Sequence, residues 1–419
     1  MKVVVTGGHY PAALAAARSL KRAGLRTVTV AAKRASYVRF SRASAETHLA
    51  PDVSESASAF VEAVAAACAP EEPTVLVPGT EPELFALVHW RHLLPDWVLG
   101  LPTPDVLDNV TDKGRLNALA LEAGVAIPKT RILRPGDSAA GIALPAVVKP
   151  VRTATVVGDA VVSASPVAVA REDELVAAVE GYAGEAAVVQ PLLEGDLYAL
   201  SGVMWEGALL APMQQVALSV FPWPCGGSAL ARTTPVDEPL LAGVTAMLRA
   251  SRWRGVVQVQ WIGSADGAAL IDVNPRIYGS LALANAAGSP LAAIWACLLL
   301  GLEWQPEPAC GDVLYRNLET FTRAHPTPAA ARFPHRARRS TSSVFEASDP
   351  LPLLASLARG GGKLRKDLRS RAARRPPEDA VLRVDDDDVA GPVEGVGPGG
   401  ADGASVDPGD GVLSVRRRR

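Results

Sequence analysis

Val256-Val257-Gln258-Val259-Gln260-Trp261-Ile262, followed by Leu270-Ile271-Asp272-Val273-Asn274-Pro275-Arg276, decides how this chain folds and where its chemistry lies. Both stretches are short, apolar and β-branched, and the small and polar residues of Gly263-Ser264-Ala265-Asp266-Gly267-Ala268 separate them, so the pair predicts an antiparallel hairpin. Strand alternation puts Gln258 and Gln260 on one face and Val257, Val259 and Trp261 on the other; Asp272 and Asn274 share a face in the same way. With the turn centred on Asp266, Gln260 stands opposite Asp272 and Gln258 opposite Asn274, gathering polar side chains on one side. A slip of one residue would scatter them. Convergent oxygen ligands suit Mg2+ shared with a polyphosphate, while the solvent-facing side of a hairpin accounts for the same spacing. Arg276 either forks onto phosphate or carboxylate oxygens or makes a surface salt bridge.

Upstream, Leu144 to Pro150 reads as a buried strand ending in Lys149, and Ala187-Val188-Val189-Gln190 as another that runs into Pro191-Leu192-Leu193-Glu194. That abrupt exit leaves backbone groups for a purine edge or is an ordinary strand end. A second lysine, Lys113, precedes a helix expected over Leu116 to Gly124; both lysines are phosphate contacts or solvated charges. Towards the N-terminus, strands at Val3 to Val5, Thr27 to Ala31 and Thr74 to Pro78 alternate with helices at Ala12 to Ala23 and Ala57 to Cys68. Such alternation predicts a parallel, doubly wound sheet. Thr6-Gly7-Gly8 at the first helix could hold a phosphate, but the full GxGxxG spacing is missing and Ala31-Ala32-Lys33 lacks the acidic residue of a nicotinamide site. Plain turn geometry is the better reading.

The length of 419 residues predicts two or three lobes. A net charge of −2 gives no sign of a specific nucleic-acid or membrane-surface partner. Cys68, Cys225, Cys297 and Cys310 are scattered, without metal-ligand spacing, and read as reduced thiols. The apolar run before Thr6 is too short for a signal-peptide core, and Pro290 to Leu300 is too short for a membrane span, so the expected location is the cytoplasm. From about Pro306 the pattern loosens. From Gly360 it dissolves into a basic run, Asp385 to Asp388, a Gly/Pro-rich stretch and Arg416 to Arg419, expected to be a disordered tail.

Taken in order, these features resemble the ATP-grasp superfamily, and most closely its carboxylate-amine ligase branch related to D-aspartate ligase and the carbamoyl-phosphate synthase large subunit. The resemblance covers about residues 1 to 305 and includes Arg18-Ser19-Leu20, Ala23-Gly24 and Pro78-Gly79-Thr80-Glu81 of the first α/β unit. It implies a doubly wound pre-ATP-grasp domain over 1–108, a two-lobed α+β ATP-grasp domain over 109–305 with a lid subdomain at about 143–195, a C-terminal extension over 306–359 and the tail over 360–419. The part of the lid that moves is expected between about Val151 and Ala187.

By the same resemblance Lys113 and Lys149 contact the phosphates of ATP, and Gln190, Leu192 and Glu194 form the hinge that holds adenine and ribose. Gln260, Asp272 and Asn274 hold Mg2+ or Mn2+, and Arg276 and Lys149 assist the reaction. Gly226, Gly227 and Ser228, in Pro224-Cys225-Gly226-Gly227-Ser228, and Gly279 and Ser280 after the arginine border the substrate. The implied activity is ATP-dependent joining of a small-molecule carboxylate to an amine through an acylphosphate, with homo-oligomers compatible with the pattern. This chain departs from the family in carrying Gln260 for Glu, Asp272 for Glu, and Arg152-Thr153-Ala154-Thr155 for a glycine-rich loop. An amide in place of a carboxylate keeps an oxygen but loses a charge, which leaves open a nucleotide-binding pseudoenzyme that senses or scaffolds.

Overall fold

A computed structural model describes residues 1–69, 72–182, 185–264, 267–304, 311–325 and 339–356. The valine run near the N-terminus becomes the central strand of a parallel sheet because both of its faces are covered. In this unit β1 (Lys2–Val5), β2 (Arg26–Ala31), β3 (Glu46–Leu49), β4 (Thr74–Val77) and β5 (Val98–Leu99) alternate with α1 (Pro11–Arg22), α2 (Ala57–Cys68) and α3 (Glu81–His89). The order β3-β2-β1-β4-β5 is the expected doubly wound sheet. Gly7 and Gly79 close its top. A Cβ on Gly79 would stand 2.3 Å from the Thr6 carbonyl oxygen, so only glycine lets these two turns touch. Beneath them Glu83 is buried and accepts the Thr6 hydroxyl at 2.8 Å. Burial pushes its carboxyl up to about 7 despite hydrogen bonds from Thr6 and Thr80.

Two helices, α4 (Pro104–Thr111) and α5 (Lys113–Glu122), lead into the second unit, with Asp112 capping α5 through the Gly114 and Arg115 amides. There β6 (Arg131–Leu133), β7 (Ala146–Pro150), β10 (Val167–Val169) and β11 (Ala187–Pro191) form an antiparallel sheet covered by α6 (Glu172–Glu180). Because β6 pairs with β11, this sheet starts upstream of residue 143, earlier than the lid subdomain expected from the sequence. Between β7 and β10, β8 (Ala154–Val157) and β9 (Ala160–Ser163) make a separate hairpin.

The third unit is a seven-stranded sheet in the order β16-β15-β12-β13-β14-β17-β18. Its strands are β12 (Asp196–Trp205), β13 (Ala208–Phe221), β14 (Gly227–Thr234), β15 (Gly255–Ser264), β16 (Gly267–Asn274), β17 (Val313–Arg316) and β18 (Arg339–Ser342). Helices α7 (Glu238–Ala250), α8 (Leu281–Ala286), α9 (Leu291–Leu299) and α10 (Leu318–Ala324) complete it. The first and third units share one core, in which Leu14 and Leu20 of α1 pack with Leu281, Leu291 and Ile294.

Beyond Pro306, where the sequence pattern loosens, the chain still adds to the large sheet. Residues 311–325 and 339–356 add β17 and β18 to the large sheet, and Asp349 returns to the first unit, accepting Arg18 Nε and the Arg42 amide at 3.0 Å each. Burial raises the Asp349 carboxyl, but Ser41, the Arg42 amide and Arg18 outweigh it and hold the group below the usual range. The tail over 360–419, Cys310 and the Asp266 turn centre lie outside the described residues. No helix among the described residues is long and apolar enough to cross a membrane.

Candidate active site

The hairpin has the register its sequence predicts. Gln258 stands opposite Asn274 and Gln260 opposite Asp272, with an irregularity immediately after Gln260 that re-aims the strand. Asp272 is half-buried and faces both lysines. Lys113 Nζ lies 3.9 Å from Asp272 Oδ1 and donates to Thr153 Oγ1 at 3.1 Å, while Lys149 Nζ donates to the Ile271 carbonyl at 3.0 Å. Both lysines are more than nine-tenths buried. Burial drives the Lys149 ammonium down to about 8; Lys113 adds to that and Asp272 opposes it. Asn274 Oδ1 accepts Arg276 Nη2 at 3.1 Å, and Arg276 Nη1 is spent on the Ile277 carbonyl at 2.8 Å. Arg276 Nε is buried without a partner among the described residues.

One carboxylate comes from the first unit. Glu81, in the first turn of α3, is 5% exposed, and burial raises its carboxyl. Arg276 and Lys113 act in the opposite direction, Asp272 adds to the rise, and the Thr153 side chain bonds to it. Sequence reasoning placed Pro78-Gly79-Thr80-Glu81 after the third strand but gave Glu81 no role. Helix position alone could not reveal one, because the groups facing it come from residues 113, 153, 272 and 276.

The hinge residues are less open than their sequence suggests. Gln190 is buried and donates from Nε2 to Thr130 Oγ1 at 2.9 Å; the Leu192 amide donates to the Pro145 carbonyl at 3.0 Å; Glu194 is exposed. Of the backbone groups at that strand exit, the Leu192 amide is therefore already paired. Arg152, which opens the segment that stands for the family's glycine-rich loop, bridges Asp112 at 2.9 Å and Asp108 at 3.4 Å.

The Pro224 to Ser228 loop joins the site from the end of β13. Gly226 packs so closely that a Cβ would fall 2.1 Å from the Phe221 carbonyl carbon. Cys225 lies near enough to Lys149 for the lysine to lower its thiol, although burial dominates and raises it. Ser228 Oγ accepts Gln215 Nε2 at 3.4 Å, Gln215 Oε1 accepts the Ser280 hydroxyl at 2.8 Å, and Tyr315 of the C-terminal extension fixes the Gly279 carbonyl at 2.8 Å. The structure thus gathers Lys113, Lys149, Asp272, Asn274 and Arg276 with Glu81, and ties Ser228 and Ser280 to one hydrogen-bonded group.

Neither a protein-family model nor a curated protein matches the chain. Solved structures do. An L-amino acid ligase from Bacillus licheniformis aligns over 73% of this chain and 75% of its own at 18% identity, with a TM-score of 0.53. A biotin carboxylase in complex with β-γ-ATP from Campylobacter jejuni aligns over 74% of each chain at 13% identity, with a TM-score of 0.55. An N5-carboxyaminoimidazole ribonucleotide synthetase from Thermus thermophilus aligns over 74% and 81% at 15% identity, with a TM-score of 0.51. The chain has the ATP-grasp fold. Lys149 of the second unit's sheet meets the large sheet at the Ile271 carbonyl, beside Asp272.

A divalent cation is compatible with the oxygen donors present. The Asp272 carboxylate and the Gln260 amide oxygen lie opposite each other across the hairpin, and Asn274 adds an amide oxygen already shared with Arg276. No cluster of three His, Cys, Asp or Glu side chains suited to a metal occurs among the described residues. One carboxylate with two amides fits a cation whose remaining ligands are phosphate oxygens and water, not an all-protein cage.

Proposed function

We propose that this protein is an ATP-dependent ligase that converts a small-molecule carboxylate to an acylphosphate and joins it to an amine, releasing ADP and phosphate. The observation that carries the proposal is the convergence of two buried lysines, Asp272, Asn274 and Arg276 at the face of an ATP-grasp sheet. Lys113 and Lys149 neutralise phosphate oxygens. Arg276, with Nε left unpaired, offers a donor to the oxyanion that develops as the phosphoryl group moves. Asp272, with Gln260 and Asn274, would hold Mg2+ or Mn2+, which would supply charge neutralisation to the transferring phosphoryl group.

The chemistry balances without a protein nucleophile. A carboxylate oxygen attacks the γ-phosphorus, the bond to the β-phosphate oxygen breaks and ADP leaves. The amine then attacks the acyl carbon, its proton passes to solvent or base, and phosphate leaves. Positioning is what the protein contributes. Glu81 is a buried carboxylate facing this space from the first unit, suited to an ammonium or other cationic group on a substrate.

The test is to incubate the full chain with ATP, Mg2+ and a matrix of carboxylates and amines, following phosphate release and product mass, with 18O in the carboxylate. The expected result is carboxylate-dependent release of ADP and phosphate, with one 18O atom appearing in the phosphate. Formation of AMP and pyrophosphate, or phosphate without 18O, contradicts the acylphosphate. Tight nucleotide binding with no turnover for any pair would favour the sensor or scaffold that Gln260 leaves open.

A further inference from the structure

The polar side chains behind the metal face are joined end to end. Arg276 Nη2 donates to Asn274 Oδ1 at 3.1 Å, Asn274 Nδ2 to Gln258 Oε1 at 3.5 Å, and Gln258 Nε2 to Ser280 Oγ at 3.4 Å. Ser280 Oγ then donates to Gln215 Oε1 at 2.8 Å, and Gln215 Nε2 to Ser228 Oγ at 3.4 Å. The chain crosses the sheet through β16, β15 and β13 to the start of β14. Gln215, Gln258 and Ser280 are 2%, 4% and 6% exposed, so water does not compete along its middle.

Its direction is set by donor chemistry as far as Ser280, and beyond Ser280 by the Gln215 amide, which turns its oxygen to Ser280 and its nitrogen to Ser228. A guanidinium has only donors, so Asn274 must turn its oxygen to Arg276 and its amide nitrogen to Gln258. Gln258 must then accept with oxygen and donate with nitrogen. Ser280 takes that donor on its oxygen and spends its own proton on Gln215. Gln215 is left with nitrogen towards Ser228. The Ser228 oxygen is therefore an acceptor, and its proton is left for an acceptor outside this chain of groups.

We propose that this hydrogen-bonded relay couples Arg276 to the Gly227-Ser228 loop and sets the Ser228 hydroxyl as a donor to an oxygen of the substrate, a carboxylate or carbonyl group. Gln215, Gln258 and Ser280 are then positioning residues, and Ser228 determines specificity by favouring an oxygen acceptor over an ammonium. The inference rests on the ligase reading of the site, in which phosphate engages Arg276.

The experiment uses the full chain with 15N-labelled glutamine and asparagine side-chain amides, titrated with Mg·ATP and followed by NMR. Both the Gln190 amide, beside the expected adenine strand, and the Gln215 amide, at the far end of the relay, should shift in the wild type. In Ser280→Ala the Gln190 shift should persist and the Gln215 shift should be lost, with Ser280→Thr, which keeps the hydroxyl, restoring it. A Gln215 signal that stays still while Gln190 responds overturns the relay, as does a Gln215 shift that survives Ser280→Ala. If neither amide responds, the nucleotide-binding reading has failed and the relay falls with it. Should Ser280→Ala not fold, the wild-type comparison of Gln190 with Gln215 decides the point.

Discussion

Lys149 shows how burial can tune a lysine that the proposed reaction sets against phosphate. A lysine in water is charged at any physiological pH, but this one is almost entirely enclosed, and its ammonium is driven to about 8 by desolvation with Lys113 adding to the effect. Bound phosphate favours the charged form. Affinity for Mg·ATP should therefore hold below pH 8 and fall by up to about tenfold per pH unit above it, as binding comes to require uptake of a proton. Isothermal titration from pH 7 to 9.5 checks this, and Lys149→Arg, always charged, should flatten the profile. A pH-independent affinity in the wild type would mean Lys149 does not meet the phosphates. At this scale the sequence was partly legible: a charged residue after Ala146-Val147-Val148 cannot sit in a buried strand without a partner, whereas nothing local to Glu81 marks it, since tertiary packing sets it against Arg276.

The β8–β9 hairpin lies within the segment expected to move as a lid, between Val151 and Ala187. Its tip is fastened to the first unit. The Asp159 carboxylate accepts the Ser56 hydroxyl at 2.7 Å, the Ser58 amide at 3.0 Å and the Ser58 hydroxyl at 2.9 Å, at the N-terminus of α2. The Val161 amide donates to the Val53 carbonyl at 2.8 Å, and Ala154 and Val161 are buried in the main core. Asp159→Ala should lower hydrogen-exchange protection at Val161 and leave that of Leu76 in β4 unchanged; equal protection in the variant would show that the core contacts alone seat the hairpin. Periodicity gave the β15–β16 register because Gln258 and Gln260 share one face, as do Asp272 and Asn274, and it gave α2 to the residue. It did not give β13, where Pro212 interrupts the pattern. The structure places that proline at a register shift between β12 and β13, where a missing amide costs little.

Across the whole molecule, the site is built where three units meet: Glu81 from α3 of the first unit, Lys113 and Lys149 from the helical entry and the sheet of the second, and Asp272, Asn274 and Arg276 from the hairpin of the large sheet and the turn after it. The C-terminal extension supports it from behind, through Tyr315 on Gly279 and Arg323 over the Phe221 ring at the base of the Pro224 to Ser228 loop. Its strands were not legible in sequence, because β17 and β18 span only four residues each and depend on the edge of an existing sheet for pairing. The central claim is that this junction binds ATP through a metal held by Asp272. It is tested most directly by the thermal unfolding midpoint of the full chain with ATP, with and without Mg2+, for the wild type and Asp272→Ala. At 100 times the dissociation constant a ligand stabilises the native state by about 2.7 kcal/mol, well within the resolution of such a measurement. The account predicts a large rise in the wild type that needs Mg2+ and is lost in Asp272→Ala; a midpoint unmoved by Mg·ATP, or one raised equally in the variant, would contradict it.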